Sequence, residues 1–162
     1  NIRFNPNLYR NGKVCLSIIN TWKGEGWTSC QNISSVLLTI VSHVFHNEPI
    51  LNEPGVSKRH PDFSKYHEII RWGNYKVAFH DVIKNGVLPT ADYNEIFYKY
   101  IEEYLKENYK LIFSDLKKLS FIQQNPKWIR CSIYNMRSQV EYKELEQSIK
   151  VLIDDKLNLN NK

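Results

Sequence analysis

One stretch of this chain alternates, and it sets the strongest limit on the fold. In KVCLSII, starting at Lys13, the apolar Val14, Leu16 and Ile18 take turns with Lys13, Cys15 and Ser17, the period of a strand or extended segment buried on one side. On that reading Cys15 falls on the more polar, accessible face. Every later apolar pattern recurs at helical spacing. A lone strand can neither bury its own face nor satisfy its edge groups. The expectation is therefore an α+β chain whose sheet partners lie upstream of Asn1, with a mainly helical remainder: a fragment truncated at its N-terminus.

The segment before the strand carries Asn5-Pro6 and Asn11-Gly12. Proline pushes Asn5 towards extended geometry and glycine tolerates positive φ, so the segment reads as an ordered loop. From Ile33, the residues Val36, Leu37, Ile40, Val41, Val44 and Phe45 continue a helical stripe, with Asn32 or Ser34 as cap. The proline-rich stretch from Asn47 to His67 reads as a long irregular loop.

Further helices are expected from about Tyr66 to Ile83 and from about Ala91 to Phe113, the latter with Phe97, Tyr100, Ile101, Tyr104 and Leu105 on one stripe. Tyr142, Leu145, Ile149, Leu152 and Ile153 mark a last helix, before a polar tail from Leu157 to Lys162.

The 162 residues suffice for one ordinary domain, and a content of 42% hydrophobic and 13% aromatic residues allows a sizeable core. No apolar run approaches the roughly 18 residues of a membrane span. Cys15, Cys30 and Cys131 form no CxxC pair, which argues against a disulfide framework or a zinc cage and suits a reducing compartment. The net charge of +5 is spread along the chain and does not single out nucleic acid as a partner. His43 and His46 stand three apart, without a third ligand at defined spacing, so no metal is assigned. Trp22 and Trp27 read as packing residues.

FNPNLYRNGKVCLSIINTW, followed by Trp27, the helix from Ile33 and NEPILNEPG, resembles the active-site half of ubiquitin-conjugating enzymes, above all the large multidomain ones that combine conjugating and ligase activity. In that family a His-Pro-Asn motif precedes the active-site cysteine at the spacing seen here between Asn7 and Cys15; Pro6 and Asn7 match, and Asn5 stands in place of the histidine. The resemblance covers residues 1–119, the C-terminal part of a UBC-like catalytic domain lacking its first helix and most of its sheet. Residues 120–162 are expected to be a helical extension.

The resemblance implies a thioester relay. Cys15 would accept the C-terminus of ubiquitin from an activating enzyme, and a substrate lysine would then attack the thioester. Asn7 would steady the oxyanion or its loop, and Glu53 would orient the incoming lysine. No intrinsic cofactor is implied, since ATP is used by the activating enzyme upstream. The implied partners are ubiquitin, the activating enzyme, a ubiquitin ligase and protein substrates, in the cytoplasm or nucleus and away from membranes. Family members commonly carry Ser-Pro-Ala after the tryptophan of the ligase-contacting loop; here Trp27 is followed by Thr28, Ser29 and Cys30. The alternatives are an inactive UBC-like module that holds ubiquitin or a ligase, and a truncated fragment without function.

Overall fold

In the computed structural model, which describes residues 2–85 and 91–156, the chain is mostly helical with one small sheet of two strands. The α+β expectation holds. The polar tail from Leu157 lies outside the described residues. The chain gathers into two compact units, Asn1–Ile70 with Ile129–Ser138, and Arg71–Trp128 with Gln139–Lys162.

In the first unit the Asn11-Gly12 turn forms as the sequence predicts, with Gly12 at φ 87°. The Tyr9 N–H donates to the Lys13 carbonyl at 2.9 Å, and Leu8 bridges Asn5 and Val14 in antiparallel fashion. Of the strand or extended segment expected after it, Val14 pairs with Leu8 and Leu16 is extended, but no continuous strand forms. A 3-10 turn occupies Ser17–Ile19 instead, and Asn20 follows in the left-handed region.

The cause is Thr21. Its hydroxyl donates to the Val14 carbonyl at 2.6 Å and accepts from the Leu16 N–H at 2.9 Å, while the Thr21 N–H donates to the Leu16 carbonyl at 3.1 Å. Backbone groups that a sheet neighbour would have paired are satisfied locally. Without a continuous strand the alternation of faces lapses, and Cys15 and Leu16 are both buried.

Helix α1 (Ile33–Thr39) opens with a capping box: Asn32 Oδ1 accepts from the Ser35 N–H at 3.1 Å, and Ser35 Oγ from the Asn32 N–H at 3.3 Å. Wider π-helical turns continue it over Ile40–Val44. Its period matches the sequence, but its burial does not. Only Val44 is buried, whereas Ile33, Leu37, Leu38, Val41 and Phe45 are exposed. Periodicity marks which face is apolar, not whether anything covers it. Trp22 and Trp27, expected as packing residues, are about half exposed (49% and 48%).

The proline-rich stretch is a succession of tight turns around Pro49–Asn52, with Ile50 fully buried, and it leads into helix α2 (Phe63–Gly73). Tyr66, Ile69 and Ile70 present the buried side of α2.

A hairpin that the sequence reading did not foresee lies in the supposedly helical extension. Strands β1 (Lys127–Cys131) and β2 (Met136–Val140) flank a tight turn at Ile133–Asn135, and Ile129, Cys131, Met136 and Ser138 are buried. Asp62 holds this turn. Its Oδ2 accepts from the Ser132 N–H at 2.7 Å, from the Ser132 hydroxyl and from the Ile133 N–H at 3.4 Å. Those bonds, chiefly the Ser132 hydroxyl's, lower the Asp62 pKa from its ordinary 3.8 to about 2, with burial opposing and Lys65 at 3.1 Å assisting.

A carboxylate depressed on folding contributes stability that is complete above 3.8 and lost as the pH falls through about 2. Urea titrations are expected to show a loss on the order of 1 kcal/mol across that window, discounted because solvent reaches Lys65. Asp62→Asn should remove this pH-dependent component; an unchanged acid limb in that variant would contradict the assignment.

In the second unit, π-helical turns at Asn74–Asp81 and the short α3 (Val82–Asn85) follow α2. The long α4 (Ala91–Ile122) runs well past the Phe113 limit read from the sequence. Among its described residues Leu105, Ile112 and Leu116 are buried; of the expected stripe Leu105 is buried, whereas Phe97, Tyr100 and Tyr104 face outward. Helix α5 (Tyr142–Lys156) buries Tyr142, Leu145, Ile149 and Ile153, as its pattern predicts. Buried His80 ties the unit together, pairing Nδ1 with Asp81 at 2.8 Å and Nε2 with Ser148 of α5 at 2.7 Å. Among the described residues no helix is long and apolar enough to cross a membrane.

Candidate active site

The site is built from a net of asparagines in the first unit. Asn5 is buried. Its Oδ1 accepts from the Asn7 N–H at 2.7 Å, closing an Asx turn across Pro6, and its Nδ2 donates to the Val44 carbonyl at 2.7 Å. One side chain thus fixes the loop's shape and fastens it to the end of the α1 segment.

Asn7 is held from both sides. Its Nδ2 donates to the Cys15 carbonyl at 2.7 Å, its Oδ1 accepts from Asn52 Nδ2 at 3.0 Å, and its own carbonyl accepts from the Cys15 N–H at 2.8 Å. Asn7 and Cys15, eight positions apart, are therefore locked together. A primary amide has two N–H donors, so this arrangement leaves one Nδ2 hydrogen of Asn7 for another acceptor.

Asn52 was not singled out by the sequence. Its Nδ2 also donates to the His43 carbonyl at 2.9 Å, and its Oδ1 meets His46 Nε2 at 3.1 Å. Because His46 Nδ1 accepts from the Glu48 N–H at 3.3 Å, the ring proton sits on Nε2 and is donated to Asn52. His46 thus orients the asparagine that orients Asn7. Only the position of Asn52, beside Glu53 in the flagged LNEPG loop, hinted at it.

Cys15 is 3% exposed, which corrects the accessible placement read from alternation. Cys30 is exposed and Cys131 buried, with burial raising the Cys131 thiol to about 11. Glu53 is half-buried, and its carboxylate accepts from the Tyr134 hydroxyl; no described hydrogen bond joins it to Asn7 or Cys15. Burial, and then the Glu53 carboxylate, push the Tyr134 hydroxyl above its ordinary range, so it remains a donor. Among the described residues no group of three His, Cys, Asp or Glu is arranged to hold a metal ion.

An asparagine side chain is thus bound to a cysteine's backbone, on a loop shaped by Asn-Pro-Asn. Residues 1–68 match the family model described as ubiquitin-conjugating enzyme. Among individual proteins, it is similar to the ubiquitin-conjugating enzyme E2 Z of Danio rerio, 47% identical over 106 residues that make up 64% of this chain and 32% of the relative. E2 Z of Homo sapiens is 53% identical over 93 residues, 56% of this chain and 26% of the relative. The dual E2 ubiquitin-conjugating enzyme/E3 ubiquitin-protein ligase BIRC6 of Mus musculus is 33% identical over 138 residues, 79% of this chain and 2% of the relative. The chain spans about a third or less of the length of these relatives.

Proposed function

We propose that this chain carries the thioester-forming segment of a ubiquitin-conjugating enzyme, with Cys15 as nucleophile. The observation that supports this most is the double tie between Asn7 and Cys15, which places a side-chain amide donor beside the cysteine backbone.

The chemistry has two acyl transfers. The Cys15 thiolate attacks the thioester carbonyl at the ubiquitin C-terminus, and the tetrahedral intermediate collapses with departure of the activating enzyme's thiolate. A neutral lysine amine then attacks the Cys15 thioester; the amine loses a proton, the C–S bond breaks and an isopeptide bond remains. In each step the remaining Nδ2 hydrogen of Asn7 supports the carbonyl oxygen as it gains charge. Glu53 orients the lysine and accepts its proton. The protein needs no cofactor of its own, ATP having been spent upstream, and works with ubiquitin, an activating enzyme, a ligase and protein substrates in the cytoplasm or nucleus.

The test is charging. Full-length protein incubated with activating enzyme, ATP and ubiquitin should give an adduct on non-reducing gels that thiols release. No thiol-labile adduct would discard the enzymatic reading in favour of a binding module.

A further inference from the structure

Tyr134 joins the NEPG turn to the loop that carries Asn7. Its hydroxyl donates to Glu53 in the NEPG turn, while its carbonyl accepts from Arg10 Nη2 at 2.8 Å and its ring stacks on the Arg3 guanidinium at 4.0 Å. Arg3 lies between that ring and the ring of Tyr9, at 3.7 Å, and donates to the carbonyl of Pro6, the residue between Asn5 and Asn7. The Arg3 N–H further meets Met136 Sδ of β2 at 3.3 Å.

The tip that presents Tyr134 is held in an unusual conformation. Tyr134 and Asn135 have φ of 59° and 47°, two consecutive non-glycine residues in the left-handed region. Such geometry is unfavourable for residues that carry a side chain and persists where surrounding contacts over-determine it. The contacts here are the Asp62 bonds to Ser132 and Ile133 and the edge-on packing of Tyr134 against Tyr66, ring centres 6.2 Å apart. The hairpin lies beyond residues 1–68, the part matched by the ubiquitin-conjugating family.

We infer that the hairpin tip, through Tyr134, is a positioning element for acyl transfer at Cys15: it fixes the Glu53 carboxylate and braces the loop that carries Asn7. This inference rests on the conjugating function proposed above. Tyr134 touches neither the thiol nor the acyl group; it acts through Glu53 on one side and through Arg3 and Arg10 on the other.

The phenylalanine variant separates these arms, since Tyr134→Phe keeps the ring against Arg3 and Tyr66 and removes only the hydroxyl. Full-length protein would be charged with ubiquitin, and discharge of the thioester to free lysine followed in a single turnover. Tyr134→Phe should charge within about twofold of wild type and discharge about five- to tenfold more slowly, as expected when a reacting group loses its orientation. Glu53→Gln sets the reference for the cycle. If Tyr134 acts through Glu53, adding Tyr134→Phe to Glu53→Gln should change discharge by less than about twofold.

Wild-type discharge in Tyr134→Phe, or losses that multiply in the double variant, would overturn the inference while leaving Cys15 chemistry intact. A wild-type protein that never charges would overturn the conjugating reading itself, and this inference with it.

Discussion

Cys15→Ser is expected to eliminate the thiol-labile ubiquitin adduct and to leave at most a thiol-resistant ester at the same position. Serine presents an oxygen nucleophile of nearly the same shape, so an acyl group that reaches it forms an oxygen ester that lysine attacks slowly. Loss of a nucleophile should lower transfer to lysine by at least about 10³-fold. Because Cys15 is buried, a hydroxyl there without a partner costs about 1–3 kcal/mol, and Cys15→Ala with a thermal melt serves as the folding control. The other thiols give an internal check. Cys30 is exposed and Cys131 buried; Cys30→Ser and Cys131→Ala should retain the adduct. An adduct that survives Cys15→Ala but disappears with Cys30→Ser would relocate the acceptor and end the present reading.

Asn7→Ala carries the second large effect. It removes the amide proposed to support the oxyanion, a donor whose loss in comparable sites costs about 10²- to 10³-fold in rate. It also strips the Cys15 carbonyl and Asn52 Nδ2 of a partner, which costs about 1–3 kcal/mol of stability where the groups are buried. Asn52→Ala distinguishes the two consequences. That change withdraws the donor to Asn7 Oδ1 but leaves the Asn7 amide on the Cys15 carbonyl, so lysine discharge should drop about tenfold or less. Equal losses for Asn7→Ala and Asn52→Ala, tracking their melting temperatures, would make Asn7 a structural residue only.

What was legible in the sequence was local or repetitive. The Asn11-Gly12 turn needs nothing beyond its own backbone, and the α5 stripe from Tyr142 to Ile153 repeats often enough to define a face. The motif singled out Asn7 and Cys15 by their spacing of eight positions, whereas the bond that joins them is seen in the fold. The misreadings share a different cause. Thr21 captures the backbone groups around Leu16, and no alternation rule counts a side chain that competes with a sheet. The hairpin escaped notice because its turn uses Tyr134 and Asn135 in the left-handed region, where glycine is the expected sign. The tie from Tyr134 to Glu53 spans 81 positions and leaves no spacing to read.

The wide turns at Ile40–Val44 bear on how this segment can vary. There the Phe45 N–H reaches back five residues to the Ile40 carbonyl at 3.0 Å, so the helix accommodates one residue more than regular winding would. Val44 ends that stretch, and its carbonyl is the acceptor that anchors Asn5. Deleting one residue from Ile40–Val44 would remove that extra residue and let the turns return to regular winding, whereas inserting one would rotate everything beyond it by about 100° and swing that carbonyl away. The number of residues in this segment is thus under constraint in one direction: substitutions on its exposed face and loss of the one extra residue are tolerable, while further insertions are not.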